Sequence, residues 1–145
     1  MKKINYLLVC LFLSMTVFVG CKSDDGGDPE PSAEQQALEA LQGTWKVTDA
    51  KKGNVDLDGY SNMTMTISAN KTISASNAPS GSVFPTGSFT FVEGSNFKKI
   101  KVDGVDVELT VGSSSLVAKF KLDEEGNNAA RVAGLEGSYT FTFGK

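Results

Sequence analysis

From Thr44 to Phe143 the apolar residues fall on alternate positions, and this period of two constrains the fold more than any other feature of the chain. Trp45 and Val47 form one such set; Met63, Met65 and Ile67 form another, and Phe89 and Phe91 a third. Val105, Val107, Leu109 and Val111 follow, then Leu116, Ala118, Phe120 and Leu122, and last Tyr139, Phe141 and Phe143. Polar residues such as Thr64, Glu108 and Lys121 separate them. Side chains of a strand alternate between its two faces, so each run reads as a strand with one buried and one wet face. Val55–Leu57, Lys71–Ser76 and Phe97–Val102 are shorter candidates. The breaks agree: Ala69-Asn70-Lys71 is short enough for a hairpin, Asp103-Gly104 is a strong two-residue hairpin signal, and Gly112 to Ser115 makes a further turn. About eight or nine short antiparallel strands in about 100 residues predict an all-β barrel or sandwich and not a βαβ fold. Closure into a barrel also accounts for the lack of any strand that reads as a protected edge.

The period changes upstream of Thr44. Residues 32–42 predict one short helix. Ser32 and Gln35 make the Ser-x-x-Gln pattern of a capping box, Ala37, Leu38 and Leu41 share a face, and Gly43 stands where a helix end needs positive φ. So short a helix is marginal alone and is expected to dock on the open end of the β domain, residues 43–145. Residues 21–31 are acidic and Gly-rich, with Pro29 and Pro31 at their end, and read as a tether.

Residues 1–20 read as an address. Met1-Lys2-Lys3 is a positive start, Ile4 to Val19 is almost wholly apolar, and Gly20 is small. The same stretch is long enough to span a bilayer, but Cys21 favours a different reading. Phe18-Val19-Gly20-Cys21 resembles the lipobox of bacterial lipoproteins, in which the cysteine is acylated and becomes the first residue. The resemblance implies a membrane partnership through lipid on Cys21, with several acyl chains, since one chain anchors only marginally. Cys10 would leave with the leader, so no disulfide is expected. Lys22-Ser23-Asp24-Asp25-Gly26-Gly27-Asp28 resembles the surface-export signal of Bacteroidetes lipoproteins, which implies an outer-membrane protein facing outward.

Composition removes several classes of function. The chain has 145 residues and no His, so Ser–His–Asp and Cys–His catalysis and the commonest zinc sites are absent. Arg131 is the single Arg, and loss of Lys2 and Lys3 would move the net charge from −3 to about −5, which argues against nucleic acid. Asn54-Val55-Asp56-Leu57-Asp58-Gly59 superficially resembles the start of a calcium loop. The loop's twelfth position is Met65 instead of Glu, however, so a turn with Asp58-Gly59 at its tip is expected and no metal. Of Asp56, Asp58, Glu93, Asp103, Asp106, Glu108, Glu124 and Glu136, most fall in turns or on wet faces. No pair is aimed at a sugar-orienting aromatic cluster, so no enzyme activity and no cofactor are expected.

Leu41-Gln42-Gly43-Thr44-Trp45-Lys46-Val47 resembles the Gly-x-Trp opening of lipocalin-like barrels, which also follows a short helix. Gly59–Thr66, Val83–Phe91 and Arg131–Phe141 extend the likeness toward small lipocalin-like lipoproteins of Bacteroidetes, over most of residues 41–145. The resemblance implies an antiparallel barrel of about eight strands that holds a small apolar ligand or nothing. In lipocalins an Arg near the end of the barrel packs over the motif Trp; Arg131 is the candidate, although it precedes the last strand. Trp45 is expected to plug the barrel beneath the helix. Met63 and Met65 suit either an adaptable pocket or a filled core. Tyr60 and Phe84 lie on loops, where they would form a rim contact or, for Phe84, a lid folded back on the core. The expected function is non-enzymatic: a binding module for a small apolar molecule or a surface protein partner, or a filled barrel serving a surface complex such as glycan-uptake machinery.

Overall fold

Alternation becomes strands where the sequence places it. The computed structural model describes residues 30–123 and 134–145. Helix α1 spans Ala33–Leu41, and nine strands follow: β1 Gly43–Lys52, β2 Val55–Asp56, β3 Thr64–Ile67, β4 Thr72–Ser76, β5 Gly87–Phe91, β6 Lys99–Val102, β7 Val105–Val111, β8 Ser115–Leu122 and β9 Gly137–Gly144. Every pairing is antiparallel. β1 and β3 to β9 form an up-and-down meander of eight strands that closes when β9 pairs back with β1, while β2 is a two-residue spur on the end of β1. The early part of β1 pairs with β3 (Trp45 opposite Met65), and Lys46 to Lys52 pair with β9 (Ala50 opposite Phe141). The register slips at Thr48, whose hydroxyl donates to the Thr142 carbonyl across the closing seam at 3.1 Å. Such a bulge sharpens the bend that closure requires.

The turns follow from residue chemistry. Asp103 and Gly104 both take positive φ (47° and 83°), the type I′ geometry whose twist matches that of the strands it joins. The β3–β4 hairpin closes with Ser68 N–H donating to the Thr72 carbonyl. Where β1 turns into β2, the tip is Gly53-Asn54. Asp58-Gly59 forms a separate turn after β2 and not the tip of the hairpin. Lys51 spans that hairpin, 2.8 Å from Asp49 and 3.6 Å from Asp56. The bond to Asp49 holds its ammonium above the ordinary lysine value.

Antiparallel order sorts the connections to two ends. At one lie α1, the β3–β4, β5–β6 and β7–β8 turns and the C-terminus; at the other lie residues 57–63, residues 77–86, the β6–β7 turn and the approach to β9. α1 is capped as its sequence predicts, with the Ser32 hydroxyl accepting from Gln35 N–H at 3.2 Å. The arm that reaches back is Gln36, bonded to the Pro31 carbonyl, and not Gln35. Leu38 and Leu41 are its buried residues, each contributing about 1.5–3 kcal/mol by burial. An ion pair between Glu34 and Lys71 ties its first turn to the β3–β4 hairpin.

Two expectations of alternation fail at strand ends. Val111 has inward parity but is 41% exposed, because it stands at the very end of β7. Phe97 is not in a strand: it sits in the β5–β6 turn with φ of 60°, and its ring meets Phe91 edge-on.

Candidate functional site

Trp45 closes the helix end of the barrel. It is completely buried, and its indole N–H donates to the Leu41 carbonyl at 2.8 Å. That bond satisfies one of the carbonyls that a helix C-terminus leaves unpaired. It also fixes the helix to the first strand across a bend made by Gly43, whose φ of 119° disfavours any side chain. Lys145 also lies over the indole. Lys145 Nζ lies 4.4 Å from the ring centre, and the Lys145 stem crosses Gly43. Lys145 thus packs a cation over Trp45; Arg131, the expected cation there, lies outside the described residues. Replacing Lys145 with alanine is expected to destabilise the domain by about 0.5–2 kcal/mol and to shift Trp45 fluorescence to the red, with urea unfolding followed at the single Trp as the check.

Within the barrel the chain's own rings fill the centre. Met63 and Met65 are buried to 1% exposure or less and lie in the core beside Ile67. Along β9 and β8, Tyr139 stacks on Phe120 and Phe120 on Phe141, with centroids 5.3 and 5.9 Å apart. Phe84 then enters from the loop between β4 and β5. Its ring meets Phe141, Phe143 and Phe120 edge-on at 5.0, 5.5 and 5.9 Å. Tyr60, from residues 57–63, meets Phe141 at 5.0 Å, and its hydroxyl accepts from Val83 N–H at 3.1 Å. Tyr60 and Phe84 are thus brought together, but both turn inward at 6% exposure and neither stands on the rim. The reason is the hydrophobic area that two large rings remove from water when an interior is there to receive them. No buried polar or charged side chain is found among the described residues.

The wall beside Phe84 is incomplete. β4 and β5 share just two residue pairs, Thr72–Ser88 and Ile73–Gly87. Past them the strands part around a cleft of about 410 Å³, lined by Ile73, Ala75, Ala78, Ser82, Phe84 and Thr86 among others. A second cleft, of about 360 Å³, lies at the helix end against Phe91 and Phe97. The described carboxylates of the sequence analysis, Asp56, Asp58, Glu93, Asp103, Asp106, Glu108 and Glu136, are all exposed.

No protein-family model, curated protein or solved structure matches this chain. The geometry therefore stands on its own. Of the residues named from the sequence, Gly43 and Trp45 meet at the helix end, while Tyr60, Phe84, Met63 and Met65 all join the core; Cys21 and Arg131 lie outside the described residues. Lys145 and the narrow β4–β5 seam carried no signal in the period of two.

The approach to β9 is pinned by a small polar cluster. Glu136 accepts from Gly134 N–H at 2.9 Å, Lys52 donates to the Gly134 carbonyl at 2.9 Å, and Tyr139 donates to the Leu135 carbonyl at 2.5 Å. Backbone N–H groups of Glu136 itself and of Gly134, aided by Lys52, hold the Glu136 carboxyl below its ordinary value of 4.5. A carboxylate whose folded value is depressed stabilises the fold above the unfolded value and loses that contribution as pH falls through the folded one. The expected result is a Glu136 carboxyl resonance that titrates below pH 4.5. Glu136→Gln should lower stability modestly at neutral pH, where the carboxylate contributes, change little in strong acid, and so flatten the acid limb of the stability profile.

Proposed function

We propose that this protein is a lipocalin-like lipoprotein of the Bacteroidetes type. Acyl chains on Cys21 would anchor it to the outer membrane and display it at the cell surface, where it serves as a non-enzymatic accessory module acting through its exterior. The observation that carries the reading is the position of Phe84: the centre of the barrel, where a permanently bound ligand would lie, holds a ring of the chain itself. Lipid anchoring is supported by Phe18-Val19-Gly20-Cys21, and display at the surface by the acidic run after it. The lack of His and the exposure of the described carboxylates support a role without catalysis.

Two measurements test this. Metabolic labelling with an alkyne fatty acid should mark the protein and fail on Cys21→Ala, with surface protease removing the domain from intact cells. Native mass spectrometry of protein gently purified from its host should give the bare polypeptide plus its lipid. A further small molecule retained in stoichiometric amount would overturn the filled-barrel reading and favour a resident-ligand barrel.

A further inference from the structure

Two rings of the filled interior stand on loops, Tyr60 and Phe84; the others stacked at its centre belong to β8 or β9, whose backbones are paired on both sides. Phe84 hangs instead on the loop of residues 77–86. Between Ala78 and Thr86 the bonds from Ser82 N–H to the Pro79 carbonyl and from Phe84 N–H to the Ser82 hydroxyl are local. Among the described residues, the bond from Val83 N–H to the Tyr60 hydroxyl is the one that ties this stretch to a distant part of the chain. Phe84 also lines the floor of the cleft at the β4–β5 seam, so solvent and the aromatic centre are one side chain apart.

We infer that Phe84 is an exchangeable plug, and that its socket is a binding site for a single aromatic ring carrying one hydrogen-bonding group, a phenol in the simplest case. The ring follows from the socket: Phe141, Phe143 and Phe120 receive Phe84 edge-on, and no buried charge or buried polar residue stands among the described residues to receive an ion. The hydrogen-bonding group follows from Tyr60. When residues 83–84 move out, the Tyr60 hydroxyl loses the N–H it now accepts from, while its ring stays against Phe141 beside the socket. A buried polar atom without a partner is costly, so a ligand that replaces the lost bond is favoured over one of the same shape that cannot. The cleft of about 410 Å³ at the seam provides the entry and suits a ligand of this size. Because the plug competes with the ligand, apparent affinity is reduced by the fraction of time the socket is open. Binding is therefore weak and reversible, so the bare mass expected from native mass spectrometry does not count against it.

The test uses the purified protein with phenol and toluene as probes, followed by NMR of the aromatic side chains. Wild-type protein should bind phenol at one saturable site, with shifts centred on Phe141, Phe120 and Tyr60, and about two- to tenfold tighter than toluene. Tyr60→Phe should erase that preference. Phe84→Ala, which empties the socket, should bind both probes at least about tenfold tighter, as removal of a competitor requires, and Phe84→Leu, which leaves a smaller plug, should fall between it and wild type. If the Phe84 variants, shown folded by their amide spectra, bind and wild type does not at several millimolar, the plug does not yield and the inference is wrong. Shifts centred instead on Phe91 and Phe97 would also overturn it, as would equal affinity for phenol and toluene in wild type. None of these outcomes bears on lipid anchoring or surface display, which the labelling experiment decides separately.

Discussion

Phe141→Ala is expected to cost about 3–5 kcal/mol, a large share of the roughly 5–15 kcal/mol that holds a domain of this size together. Phe141 is fully buried and touches four other rings, those of Tyr60, Phe84, Phe120 and Phe143. Its loss removes both the transfer free energy of the ring and one side of four edge or stacked contacts, and the opposing walls cannot collapse to meet because the strands are held by closure. The midpoint of thermal unfolding should fall by roughly 10–20 °C, read by circular dichroism. Phe141→Leu, which restores most of the volume, should recover more than half of the loss. A fall of less than about 3 °C for Phe141→Ala would mean that the ring cluster is not the centre of stability.

The second large effect lies at the helix end of the barrel. Trp45→Ala should destabilise the whole domain by about 3–5 kcal/mol, since a fully buried indole leaves a cavity at the junction of helix and barrel. Trp45→Phe separates two roles of that residue. It keeps most of the apolar bulk but removes the N–H that bonds to the Leu41 carbonyl, at a cost of about 1–3 kcal/mol. That cost should fall on α1. Hydrogen exchange at the amides of Leu38 and Leu41 should accelerate strongly in Trp45→Phe, while amides of β8 and β9 exchange as in wild type. Uniform acceleration across helix and barrel would show instead that α1 and the barrel unfold as one unit.

The parts of this structure that could be read from the sequence are those set by periodicity and by residues with one conformational task. Alternation located the long strands β7, β8 and β9 closely because each is flanked on both sides by a partner that enforces one inner and one outer face. Ser32, Gly43 and Asp103-Gly104 marked a cap, a bend and a hairpin through local chemistry that tertiary context did not override. β6 stops opposite Glu108, so beyond it β7 is paired on one side alone, and Val111 stays partly exposed although it faces Leu116 of β8. Phe97 needed a positive φ that no rule for an aromatic residue anticipates. Phe84 lies outside any strand, so period says nothing about its direction; only the existence of an unfilled centre decides that it turns inward. Lys145 is a single terminal residue whose partner is distant in sequence and close only once the barrel is closed.

Closure has a kinetic consequence. The barrel is sealed by pairing its first strand with its last, and one bond across that seam joins residues 94 positions apart. Contacts of such high sequence separation form late, because loop-closure entropy must be overcome before they contribute anything. A chain emerging from its N-terminus can build the meander hairpin by hairpin, but β1 and β8 keep open edges until β9 arrives. During that interval the species at risk is an unsealed sheet with free rims and a half-exposed aromatic column, the kind of intermediate that aggregates. Refolding should accordingly be slow for so small a domain, and variants weakened at the β1–β9 seam should lose yield before they lose equilibrium stability.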